Sequence, residues 1–221
     1  GDFAGYVDNN GIEDRSVTFE VVRARKASNF VMVLDISGSM DTNDRLERMK
    51  QSAIRWVKYD LKQDVSLGLL KFSTNPVVMK PLTSVIDTNR QEFIDSLDAL
   101  SPNGGTCLGA ALKGGLKVLK DGNIPNGGVM IFLTDGVHAC DGADKSTIND
   151  VLSQVVAQNV RVITIAFSDN ADPDILKLAQ ETDGKAYFVP DDSGPEVINT
   201  ALQGSLTFQT SVPSNEVDII V

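Results

Sequence analysis

The stretch Phe30-Val31-Met32-Val33-Leu34-Asp35-Ile36-Ser37-Gly38-Ser39-Met40 decides the reading of this chain. Its first five residues are uninterruptedly apolar, the pattern of a central parallel strand buried on both faces. A carboxylate and two hydroxyls follow at once, with Gly38 allowing a tight turn between them. The arrangement recurs where Val129 to Leu133 runs into Thr134-Asp135-Gly136. Between the two lies Gly104-Gly105-Thr106.

Working outward, strand-like and helix-like patterns alternate. Arg45 to Tyr59 has Leu46, Met49, Ala53, Trp56 and Val57 on one helical stripe. Val65 to Phe72 reads as a strand, and Pro76 to Pro81 as a short one whose bounding prolines favour a sheet edge. Arg90 to Leu100 reads as a helix, with Phe93, Leu97 and Leu100 inward. So does Leu108 to Lys120, despite Gly114 and Gly115. Thr147 to Ala157 is expected to be a helix with Ile148, Leu152 and Val155 inward, and Val160 to Phe167 a third core strand. Asp172-Pro173 starts a helix, with Pro at its first position. Lys185 to Val189 is a strand, and Pro195 to about Leu202 a last helix. The fold class that follows is α/β: an open, doubly wound, mostly parallel sheet flanked by helices, with one short antiparallel edge strand.

At the ends of the chain the pattern changes. Residues 1–28 read as an N-terminal extension and linker, with a short strand over Ser16 to Val22 and a charged link over Arg23 to Asn29. Residues 29–206 form the main domain, and 207–221 the start of a following β-rich segment. The chain begins at Gly1 rather than Met and is expected to be a processed form or a fragment.

In an open α/β sheet, ligands bind beyond the C-terminal ends of the strands where strand order reverses. Asp35 and Asp135 both end apolar strands there, and two carboxylates in proximity repel unless a cation lies between them. Asp35, Ser37, Ser39, Thr106 and Asp135 form an all-oxygen set that suits Mg²⁺, Mn²⁺ or Ca²⁺ and argues against a thiolate–imidazole zinc site. Each piece has a plainer meaning alone: Asp-x-Ser-x-Ser caps helices and Asp-Gly makes turns. Their order and their placement on strand ends point to a metal site.

The formal net charge of −10 argues against nucleic acid and anionic membrane as partners. No apolar stretch approaches the length of a membrane span. Cys107 directly follows Thr106, and Cys140 lies five residues after Asp135. Convergence of these loops puts both sulfurs on one rim and predicts a disulfide in an oxidising compartment; the alternative is two free thiols in a cytosolic protein. His138 and the acidic pair Asp141 and Asp144 read as solvated loop residues, and Trp56 and Phe72 as core. Without a nucleophile–His pair the chain is expected not to be an enzyme.

Asp35-Ile36-Ser37-Gly38-Ser39, Thr106 and Thr134-Asp135-Gly136 resemble, residue by residue, the metal-ion-dependent adhesion site of von Willebrand factor type A domains. The resemblance covers about Asn29 to Leu206. It implies ligand roles for Asp35, Ser37, Ser39, Thr106 and Asp135, and a protein partner that presents Asp or Glu to the metal. Val17 to Val22, Arg45-Leu46, Gly68 to Ser73 and the Cys107 that follows Gly-Gly-Thr further resemble calcium-activated chloride channel regulators. That implies a secreted or cell-surface protein, with a membrane channel or matrix protein among the fitting partners. It also implies a neighbouring zinc metallopeptidase domain. No His-Glu-x-x-His occurs here, and His138 is the only histidine, so such chemistry belongs outside this chain.

Overall fold

The computed structural model describes residues 22–26, 29–62, 64–168 and 172–211. The chain divides into two units, Lys26–Phe208 and a second made of Gly1–Arg25 with Gln209–Val221. In the larger unit, six strands form one sheet in the order β4-β3-β2-β5-β6-β7. These are β2 (Asn29–Asp35), β3 (Ser66–Phe72), β4 (Pro76–Ser84), β5 (Val129–Thr134), β6 (Arg161–Phe167) and β7 (Lys185–Val189). All neighbours run parallel except β3 and β4. Among the described residues six α-helices accompany them: α1 (Arg45–Arg55), α2 (Arg90–Asp98), α3 (Leu108–Asp121), α4 (Ile148–Ala157), α5 (Asp174–Glu181) and α6 (Glu196–Ser205).

The two-residue period of β2 divides the core. Phe30, Met32 and Leu34 join α1, α2 and α6 in one cluster, where Leu46, Met49, Ala53, Trp56 and Val57 supply the α1 stripe. Trp56 meets Phe30 edge to face, with ring centroids 5.5 Å apart. Val31 and Val33 face the other way, toward Leu112 and Leu116 of α3, Val151 and Val155 of α4, and Ile175 and Leu178 of α5. Phe72 stacks on Phe132 in that layer. A strand apolar at every position is what two covered faces require.

Several expectations are corrected. The α-helix that begins at Arg45 ends at Arg55 and continues as a π turn over Trp56–Asp60, where Leu61 N donates to Trp56 O. The antiparallel edge strand is not short: β4 is nine residues and carries Pro81 within it, at register irregularities opposite Leu67 to Leu70. On α4 it is Val151 that is fully buried with Ile148 and Val155, while Leu152 is partly buried. The expected charged link contains a strand instead: β1 (Val22–Lys26) pairs with β8 (Thr207–Ser211) in a two-stranded sheet, so the lead-in and the tail meet each other. The strand expected over residues 16–22 falls, apart from Val22, outside the described residues, as does the tail beyond 211.

The glycines of α3 have a packing reason. A Cβ on Gly115 would stand 2.7 Å from Met130 Cε and 3.0 Å from Val33 Cγ2, so the helix lies directly on the β2–β5 pair. A larger side chain must push it off the sheet. Gly115→Val is expected to lower stability by about 1–3 kcal/mol, the usual range for overpacking. Urea denaturation checks this; an unchanged midpoint would contradict the close approach.

Candidate metal centre

Strand order reverses between β2 and β5. β2 is followed by β3 on one side, and β5 lies on the other. The pair is in register from Phe30 opposite Val129 to Leu34 opposite Leu133. One step further, Asp35 and Thr134 stand side by side, and Thr134 Oγ1 donates to Asp35 Oδ2. Asp35 Oδ1 accepts from Ser37 N at 2.7 Å. Ser37 Oγ and Ser39 Oγ are 3.2 Å apart, and Ser39 Oγ donates to Asp135 Oδ1 at 2.8 Å. The first and third predicted loops therefore converge: four of the five predicted residues are joined by hydrogen bonds, and Ser37, Ser39 and Asp135 form a continuous chain of oxygens.

Thr106 comes from the middle loop and is buried at the same edge. Gly38 N donates to Gly104 O, and Asn103 N to Ile36 O, which joins this loop to the first. A two-way backbone bridge between Thr106 and Ala139 joins it to the third. Beside that bridge, Cys107 and Cys140 form a disulfide, as predicted. A bridge spanning 33 residues stabilises by roughly 3–4 kcal/mol in the chain-entropy estimate. The glycine of Thr134-Asp135-Gly136 is needed here. A Cβ on Gly136 would lie 2.9 Å from Thr106 Cγ2 and 3.3 Å from Thr106 Oγ1.

Two residues of the site were missed in the sequence. Arg45 Nη1 donates to Asp135 Oδ2 at 2.8 Å, while its Nε and Nη2 grip both oxygens of Asp191 at 2.7 Å each. The signal was available. Arg45 lies four residues before Met49, on the inward stripe of α1, where a guanidinium needs a buried partner. Nothing local marked Asp191, which follows β7. The expectation that only a cation could relieve the carboxylates is thereby corrected, because Asp135 has a cationic neighbour of its own.

The electrostatics follow burial. Desolvation pushes Asp35 up to about 7. The donors Thr134 and Ser37 oppose that rise, and repulsion from Asp135 is the smallest contributor. The Arg45 fork holds Asp191 below the usual carboxylate range, and in return the bond to Asp191 holds Arg45 more firmly in its charged form.

The other flagged residues have ordinary partners. Asp141 Oδ1 accepts from Thr74 Oγ1, and Asp144 pairs with Lys113. His138 is half-buried rather than solvated, and its backbone N donates to Asp172 Oδ2 at 3.4 Å.

The donor set fits a hard divalent cation. Adjacent ligands of an octahedral ion bound at about 2.1 Å lie about 3 Å apart. The spacings of 3.2 Å and 2.8 Å along Ser37, Ser39 and Asp135 match such edges. Among the described residues no three His, Cys, Asp or Glu side chains gather as a metal cluster, and the edge carries the carboxylates of Asp35 and Asp135 with the side chains of Ser37, Ser39 and Thr106.

A parallel sheet with this edge defines a class, and the family comparison agrees. Residues 29–201 match the von Willebrand factor type A domain model, and the chain belongs to that family. Among curated proteins it is similar to calcium-activated chloride channel regulator 1 of Bos taurus, 27% identical over 79% of this chain and 19% of the relative. It is also similar to calcium-activated chloride channel regulator 4 of Homo sapiens, 24% identical over 73% of this chain and 17% of the relative. The chain thus spans less than a fifth of these relatives' length. Its fold is similar to a solved von Willebrand factor type A protein from Catenulispora acidiphila (TM-score 0.62, 19% identity, 80% of this chain and 41% of that one). The PilB minor pilin from Streptococcus sanguinis shares it too (TM-score 0.57, 14% identity, 80% of this chain and 60% of that one).

A group whose pKa is raised on folding contributes stability that is full below its unfolded value and lost as pH rises through the folded one. For Asp35 that window runs from the ordinary 3.8 to about 7. In EDTA, wild type is expected to lose stability relative to Asp35→Asn between pH 4 and pH 8. Chemical denaturation at both pH values checks this; a constant difference would contradict burial as the cause.

Proposed function

We propose that this domain is a divalent-cation-dependent protein-binding module that takes an Asp or Glu side chain of a partner protein. Asp35, Ser37, Ser39, Thr106 and Asp135 hold Mg²⁺, with Ca²⁺ or Mn²⁺ as substitutes. The observation that carries the reading is the convergence of three loops, from three separate elements, on one oxygen-lined edge with cation-ligand spacing. Asp135 shares its charge with Arg45, so the two carboxylates do not fully neutralise a bound divalent cation, which leaves a seat for an outside carboxylate. That local charge matters on a chain of net charge −10, which otherwise repels acidic partners.

A metal-stabilised spacer is the competing reading. The hydrogen bonds favour capture. Both oxygens of Asp35 and both of Asp135 already have protein donors, so the fold does not depend on an ion to satisfy them. An enzymatic role is not proposed. Among the described residues, the side chains joined at the edge are carboxylates, hydroxyls and a guanidinium, with no imidazole or thiol paired to a hydroxyl as base to nucleophile.

We place the domain in a secreted or cell-surface protein. The Cys107–Cys140 disulfide supports this, because such bonds persist in oxidising compartments. Among the described residues no helix is long and apolar enough to cross a membrane. The relatives are named as chloride channel regulators. For this chain, a membrane channel or matrix protein with an exposed acidic residue is a fitting partner.

Calorimetry with Mg²⁺ tests the proposal. Wild type should bind one ion, and Asp135→Ala should lose affinity by more than about 100-fold while keeping its circular dichroism, since even outer residues of metal sites are worth 10–100-fold. Capture of acidic surface proteins should then fail in EDTA. Undiminished Mg²⁺ affinity in Asp135→Ala would overturn the assignment.

A further inference from the structure

Asp135 divides its two oxygens. Oδ1 receives Ser39 Oγ at 2.8 Å and belongs to the oxygen chain that runs through Ser37. Oδ2 receives Arg45 Nη1 at 2.8 Å and points to α1 instead. The guanidinium has little freedom to leave. Its other two nitrogens both donate to Asp191, each at 2.7 Å. The loop that carries Asp191 is in turn pinned to α1, because Arg48 Nη1 donates to Ser193 O at 2.8 Å and to Pro190 O at 3.1 Å. The contact is dry: side-chain exposure is 11% for Arg45 and 0% for Asp135.

We propose that Arg45 determines which divalent cation this site accepts, by keeping Asp135 a one-oxygen ligand. The inference rests on the cation reading above and deepens it. Mg²⁺ is small and demands six near-octahedral oxygens, so it takes carboxylates through one oxygen. Ca²⁺ takes six to eight ligands and readily chelates both oxygens of a carboxylate. Asp135 can chelate only by withdrawing Oδ2 from a buried, charge-assisted bond and leaving one arm of the fork without its acceptor. The geometry therefore penalises Ca²⁺ and leaves Mg²⁺ untouched. The effect of plain charge is separable. A nearby guanidinium repels both divalent ions alike, which changes both affinities but not their ratio.

The test is calorimetry of the full chain with MgCl₂ and, separately, CaCl₂, for wild type, Arg45→Met and Asp191→Asn. Met has comparable length and no donor, so Oδ2 is freed while the stem still packs. Arg45→Met should shift the Ca²⁺-to-Mg²⁺ affinity ratio toward Ca²⁺ by about tenfold or more, as for other outer residues of metal sites. Asp191→Asn loosens the anchor of the fork at a partly exposed position and should shift the ratio the same way by less. If Arg45→Met does not fold, the direction of the Asp191→Asn shift decides. A ratio equal to that of wild type in the folded variants, with both ions weakened or tightened in parallel, overturns the selectivity role and leaves the metal site standing. Binding of neither ion by wild type overturns both.

Discussion

The register of β2 against β5 is the constraint on which the rest depends. Two parallel strands, apolar at every position from Phe30 to Leu34 and from Val129 to Leu133, pair without a slip. Their first polar residues therefore emerge together at one edge. A shift by one residue would turn each side chain to the opposite face. It would drive Asp35 into one apolar layer or the other and separate it from Thr134. The pairing is enforced by the two cores, since even-numbered residues of β2 face α1, α2 and α6 while odd-numbered ones face α3, α4 and α5. Packing energy thus sets the position of the carboxylates, and the loops only finish the site.

Holding two carboxylates in a nearly dry edge is costly, and the domain meets that cost in two ways. At Asp35, burial raises the affinity for a proton, and Thr134 and Ser37 donate to the carboxylate. Asp135 is neutralised by design, through a guanidinium shared with Asp191. Breaking a buried ion pair of this kind by removing one partner typically costs about 3–5 kcal/mol. The pair also ties the strand edge to the start of α1 and to the loop before α6. The disulfide and the Thr106–Ala139 bridge do the same for the middle loop. All three loops that bear the oxygens are thereby held by contacts within the protein.

Much of this was legible in the sequence. Uninterrupted apolar runs marked the buried strands, and the hydroxyls and carboxylates directly after them marked the edge. Cysteines placed beside two site residues marked the disulfide. What escaped reading had physical causes. Val22-Arg23-Ala24-Arg25-Lys26 carries three cations in five residues and shows no burial signal, so β1 looked like a link. Pro81 suggested the end of a strand, yet an edge strand with irregular register tolerates a residue without N–H. The π turn at Trp56 keeps the apolar stripe of a helix while changing its hydrogen bonds, and periodicity cannot distinguish the two. Asp191 is remote from every motif, and only the folded chain brings it to Arg45 across 146 positions.

The central claim is that the edge lined by Asp35, Ser37, Ser39, Thr106 and Asp135 is a cation seat. A crystal of the domain soaked in MnCl₂ and measured for anomalous scattering at the manganese edge tests it most directly. The account predicts a single strong peak among the hydroxyls of Ser37, Ser39 and Thr106, with Arg45 still on the far oxygen of Asp135. Manganese elsewhere on the surface, with that edge holding only water, would contradict it.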